Sequence, residues 1–145
     1  MFMGEYHPTL DEKCRVAIPV KLRRAYGEDA IINRLVITHG FDKCIMAFRE
    51  KEWREFVEGK LVTLAETEMT NRKKLRFYVG GASECELDKQ GRIKIPPYLK
   101  DFAEIDKDVT ILGLYNKIEI WSEEKYNSYK PKGESLEDLA KDLGF

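Results

Sequence analysis

Two ten-residue stretches of this chain set out the same side chains twice. LDEKCRVAIP, from Leu10 to Pro19, and LDKQGRIKIP, from Leu87 to Pro96, carry Leu, Asp, Arg, a β-branched residue, Ile and Pro in matching places 77 residues apart. In each, the aspartate (Asp11, Asp88) opens a polar turn, where its carboxylate can accept backbone N–H groups two residues on. The arginine (Arg15, Arg92) leaves the turn at the head of an alternating strand. A guanidinium there has two uses: it can pair with the aspartate and brace the hairpin, or reach outward to a phosphate or a guanine edge. The pattern alone leaves both open. Gly91 supplies a residue that takes a positive φ at low cost, while the equivalent place in the first turn holds Cys14.

Other chemistry is sparse. Gly80–Gly81 does not make a dinucleotide fingerprint, and Gly59–Lys60 lacks both the earlier glycine and the following Ser or Thr of a phosphate loop. His7 and His39 have no ligand-type partner one helical turn away, and Cys14, Cys44 and Cys85 have no CxxC spacing, so neither a zinc site nor a disulfide framework is expected. A Cys–His pair built from Cys44 or Cys85 with His39 has nothing to favour it over packing. The expectation is a protein without cofactor, small-molecule substrate or catalysis.

The net charge of −1 argues by itself against nucleic acid, but the charge is unevenly spread. From Leu10 to Arg24 five cations (Lys13, Arg15, Lys21, Arg23, Arg24) oppose two carboxylates, a local +3, whereas from Glu134 onward four carboxylates oppose Lys141, a local −3. The cluster Arg72, Lys73, Lys74 and Arg76 reads as a solvated helix face. No apolar run approaches the roughly 20 residues of a membrane span, and the start MFMGEYHPTL lacks a basic region followed by an apolar one, so a cytosolic protein is expected.

The elements that hold the two turns follow from period and punctuation. Strands are expected at Glu5 to Leu10 and Arg15 to Ile18, then a helix after Pro19, strands at Leu35 to His39 and Cys44 to Phe48, and a helix from about Glu50 to Leu64 with Trp53, Phe56, Val57 and Leu61 as its buried stripe. A second linker helix covers Glu66 to Val79. The order then recurs: strands at Ser83 to Leu87 and Arg92 to Ile95, a helix at Pro97 to Phe102, a hairpin of Val109 to Leu114 and Lys117 to Trp121, and a helix after Ser122. An amphipathic helix after Ser135 closes the chain. Half-units this small rarely hold a core alone, so they should pack on each other or on copies from other chains, and a neighbouring chain could cover Phe48, Trp53 and Trp121.

With these motifs in view, the chain resembles the MraZ family of bacterial transcriptional regulators. Carrying the resemblance are Met1–Phe2 with Gly4–Glu5–Tyr6, GASECELDKQGRIKIPP from Gly81 to Pro97, and LGLYNKIEIWSEEKY from Leu112 to Tyr126. The resemblance implies an α+β, β-rich fold in which two AbrB-like swapped-hairpin half-units form a pseudo-twofold β-barrel with flanking helices. The expected parts are residues 5–50 and 81–124 as the two repeats, 51–80 as linker helices and 125–145 as a helical tail. It further implies a cytoplasmic, nucleoid-associated regulator that assembles into ring-like homo-oligomers. Its partner would be double-stranded promoter DNA, at repeated elements of the division and cell-wall gene cluster that includes its own gene. The DNA-facing candidates are Lys13, Arg15, Arg23, Arg24, Lys89 and Arg92. A swapped-hairpin protein-interaction or antitoxin-like module is the competing reading.

Overall fold

A computed structural model describes residues 1–144; Phe145, at the end of the expected tail, lies outside them. The strands are β1 (Phe2–Tyr6), β2 (Arg15–Ala17), β3 (Arg34–His39), β4 (Ile45–Phe48), β5 (Ser83–Glu86), β6 (Arg92–Lys94), β7 (Val109–Tyr115) and β8 (Ile118–Ser122). The helices are α1 (Val20–Arg23), α2 (Glu50–Phe56), α3 (Met69–Lys74), α4 (Pro97–Phe102), α5 (Glu123–Tyr129) and α6 (Ser135–Leu139). The chain is therefore α+β and strand-rich, as expected.

Each strand of one repeat pairs with a strand of the other. A six-stranded antiparallel sheet runs β1-β7-β8-β4-β3-β5, and a separate two-stranded ribbon joins β2 to β6. Reading the six strands from either end gives the same series of equivalent elements. At the centre Met46 faces Glu119, flanked by Ile45↔Ile120 and Ala47↔Ile118. In the ribbon Val16 faces Ile93, flanked by Arg15↔Lys94 and Ala17↔Arg92. Two backbone bonds extend the ribbon identically on both sides, Ile18 N–H to the Gly91 carbonyl at 2.9 Å and Ile95 N–H to the Cys14 carbonyl at 2.8 Å. The register has twofold symmetry about these two central pairs.

The expected closed barrel is not formed: β1 and β5 are open edges of the sheet, and the ribbon shares no strand pairing with it. Pro19 and Pro96 follow the ribbon strands and cannot donate to a continued ladder, which keeps the ribbon short. Instead the ribbon caps the sheet by packing. Val16, Ile18, Ile93 and Ile95 join Leu35, Ile37, Ile45, Ile111, Ile118 and Ile120 in one buried core, with Leu22 of α1 and Leu99 of α4 at equivalent places.

Between the repeats α2 continues as a wider π turn over Val57–Leu61, and α3 likewise over Leu75–Val79. The second linker helix thus begins later than Glu66. β1 begins earlier than expected and stops before Pro8, after which Thr9 bridges Asp108. Of the three aromatics that a neighbouring chain could cover, Phe48 and Trp121 are covered internally, while Trp53 is half-buried. Phe48 and Trp121 are only 2% and 3% exposed, Phe48 stacking on Phe56 and Trp121 meeting Tyr126 and Tyr129. Among the described residues no helix is long and apolar enough to cross a membrane.

Candidate nucleic-acid interface

The two turns are built alike. Asp11 Oδ1 accepts the backbone N–H groups of Lys13 and Arg15, both at 2.9 Å, and Asp11 Oδ2 accepts Nε–H of Arg15 at 2.8 Å. Asp88 repeats this with the N–H groups of Gln90 and Arg92 at 2.9 and 3.0 Å and with Arg92 Nε at 2.8 Å. Arg92 also reaches Asp11 Oδ2 through Nη1 at 3.5 Å, so one ionic chain links the turns across the ribbon. The brace is therefore formed at both arginines. Each uses Nε for it, and among the described residues the terminal nitrogens of Arg15 make no hydrogen bond.

Both aspartates are held below the usual carboxylate range, first by the backbone N–H of Arg15 or Arg92 and then by that residue's guanidinium. A carboxyl whose folded pKa is depressed adds stability above its unfolded value, about 3.9, and that stability drains away as pH falls toward the folded value. Thermal melting is accordingly expected to hold its midpoint at mildly acidic pH and to drop below about pH 4. An Asp88→Asn protein should show a shallower acid limb in the same melts.

Cys14 does not reshape the first turn. Its φ of 59° lies in the same left-handed region as the 76° of Gly91, and the Cys14 and Gly91 N–H groups close matching bonds to the Asp11 and Asp88 carbonyls at 3.0 and 2.9 Å. The first turn thus keeps the backbone of the second with a side chain where glycine is favoured. At Gly91 the corresponding space is taken: a Cβ there would stand 2.4 Å from Nε of Arg23. Cys14→Gly is therefore expected to raise stability by roughly 0.5–1 kcal/mol, while Gly91→Ala lowers it by about 1–3 kcal/mol, measured by denaturant unfolding.

The six candidate residues separate into two groups. Arg15, Arg92 and Arg23 are half-buried and internally bonded, Arg23 donating Nε–H to the Ile18 carbonyl at 2.9 Å while it crosses over Gly91 of the other repeat. Lys13, Arg24 and Lys89 are exposed. Lys94, which the motif comparison passed over, belongs with them: it is exposed and directly opposite Arg15 in the ribbon. The two-residue period from Arg92 was the signal for it, since alternate residues share a face. Ribbon and turns together hold five cations (Lys13, Arg15, Lys89, Arg92, Lys94) against Asp11, Glu12 and Asp88. Desolvation pushes the buried thiols of Cys44 and Cys85 upward, away from the thiolate. His39 is stacked on Phe77 and bonded to its carbonyl at 3.0 Å.

A family model described as "MraZ protein, putative antitoxin-like" matches residues 1–77 and again residues 78–143. The chain belongs to the MraZ family. Among MraZ proteins, the "Transcriptional regulator MraZ" of Natranaerobius thermophilus is 44% identical over 144 residues, covering 99% of this chain and 96% of that relative. The boundary of the two family matches falls near the end of the second linker helix, so both MraZ units contain one Asp–Arg turn each.

Proposed function

We propose that this protein is a sequence-specific transcriptional regulator that binds double-stranded promoter DNA through the paired Asp–Arg turns. It acts as a ring-like homo-oligomer on repeated elements of the division and cell-wall gene cluster, its own promoter included, and works in the cytoplasm on the nucleoid. The observation that carries this reading is the twofold ribbon: two turns of matching backbone, preorganised by their aspartates, set Lys13, Lys89 and Lys94 around arginines whose Nε is fixed. Fixing Nε lowers the entropy lost when the remaining guanidinium N–H groups meet a base edge. The 44% identical relative named as a transcriptional regulator supports the same reading, and the cross-repeat pairing of all eight strands supports the swapped-hairpin ancestry. In this reading Lys13, Lys89 and Arg24 meet phosphates, Arg15 and Arg92 read bases, and Arg23 positions the second turn.

The test is retention of a promoter fragment at physiological salt against excess competitor DNA. Lys13→Ala should weaken all sequences similarly and reduce the salt slope by about one. Arg15→Ala should cost about 1–3 kcal/mol per site and relax sequence preference. A protein that ignores the promoter fragment but captures a protein partner would instead support the antitoxin-like module that the family description names.

A further inference from the structure

Three leucines near the C-terminus have nothing over them. Leu136 and Leu139 lie on α6 and Leu143 follows it, 55%, 55% and 61% exposed, at the i, i+3, i+7 spacing of an apolar helix stripe. Glu134, Glu137, Asp138 and Asp142 surround them, and Lys141 is already paired with Asp138 at 2.9 Å. A helix this short has little stability of its own in water and gains it from whatever covers its apolar side.

A surface of the opposite character lies on the same chain. An apolar cleft of about 740 Å³ opens between the linker helices and the sheet, walled by Phe41, Phe56, Leu61, Leu64 and Tyr78. Phe41 is 58% exposed there. Lys60, Lys74 and Lys117 stand on the rim. Of the carboxylates beside them, Glu52 is bound by Arg49, and Glu55 faces Lys51 at 3.9 Å. The cleft therefore offers an apolar floor with a cationic edge, and α6 offers an apolar stripe with an anionic edge.

We propose that α6 of one chain docks in this cleft on a second copy. Leucines at helical spacing in an apolar groove are a standard mode of helix recognition, and the charges on the two edges are opposite in sign. On their own chain the leucines of α6 stay exposed. Tyr129 at the end of α5 donates its hydroxyl to Asp42 Oδ1 at 2.7 Å, rooting the tail beside Phe41, and the connection is then tied by Lys132 N–H to Ser135 Oγ at 3.0 Å and Ser135 Oγ–H to the Lys132 carbonyl at 2.7 Å. With that turn in place the leucines face solvent, where a neighbour's cleft can take them. One donor helix and one acceptor cleft per chain make a head-to-tail contact, which closes into a ring or continues as a filament. The contact supplies the assembly in the function proposed above and is independent of whether the turns bind DNA.

Sedimentation velocity of the full-length protein tests it. Leu136→Asp/Leu139→Asp is expected to weaken association at least about tenfold with no change in melting temperature, since the substitutions lie on exposed positions. Lys60→Glu/Lys74→Glu and Glu137→Lys/Asp138→Lys should each dissociate alone and reassemble when the two proteins are mixed, because the reversed cleft then meets the reversed helix of the other chain. Reassembly only when all four substitutions share one chain would mean that the helix closes on its own cleft, and would overturn the proposal. So would an unchanged assembly mass for Leu136→Asp/Leu139→Asp. Retention of a single DNA element, measured on the same variants, reports on the turns separately: its absence in the wild-type protein would sink the DNA reading and leave the docking result standing.

Discussion

DNA carrying several promoter elements is expected to be held roughly 10²–10⁴-fold more tightly than DNA of the same length carrying one. The expectation follows from the ribbon. Each chain already shows two equivalent turns related by the Val16↔Ile93 axis, and every added subunit repeats them. Once one turn is engaged, the next engagement is intramolecular, and its gain depends on whether the element spacing fits the spacing of turns. Shifting one element by half a helical turn, about 5 base pairs, should then remove most of the gain. Equal affinities for one and several elements in a filter-retention or interferometry titration would rule out multivalent docking, whatever the strength of a single contact.

Ile93→Ala is expected to be the most damaging single truncation in the ribbon, at about 2–5 kcal/mol. Ile93 is fully buried, faces Val16 on the symmetry axis and packs in the large core that both repeats share. Loss of its side chain leaves a cavity beneath both turns at once, because the bonds from Ile18 to Gly91 and from Ile95 to Cys14 hold the two turns to one strand pair. For a chain of this size each kcal/mol lowers the melting midpoint by about 2–6 °C, so the effect is visible in a thermal melt. Promoter affinity should fall with it for every sequence, unlike the selective loss at Arg15. A melting midpoint at the wild-type value would show that the ribbon rides on the sheet without bearing on its stability.

The repeated motif makes the turns, their aspartates and arginines, and the α+β character legible in the sequence, because Asp, Gly and Pro each impose a local geometry that needs no knowledge of the rest of the chain. What stayed hidden is set by pairing at long range. Lys94 stands opposite Arg15 only because β2 chose β6 as its partner, and nothing within either repeat states that choice. Phe48 and Trp121 look like interface aromatics in the sequence but are covered by the helices that directly follow them. The backbone at Cys14 was also out of reach, since a cysteine gives no sign of a positive φ; the ladder on either side of it imposes one. The shortness of the ribbon follows from Pro19 and Pro96, visible residues, whereas the open edges β1 and β5 depend on pairing that no single residue announces.

The interlaced strand order also fixes when the molecule can fold. β1 lies at the start of the chain and pairs with β7, Phe2 opposite Tyr115, so an edge of the sheet must wait for nearly the whole polypeptide to leave the ribosome. At about 5–20 residues per second that delay is on the order of 6–20 seconds, during which the first repeat has its apolar strands and no complement. Neither repeat can complete its own sheet, and contacts this distant in sequence slow the search further. Two nascent chains on one message hold the same unpaired strands in the same register, so a first repeat can also meet its complement in the neighbouring chain. Synthesis at low ribosome density on the message, which keeps nascent chains apart, is the condition under which this topology reaches its native pairing most directly.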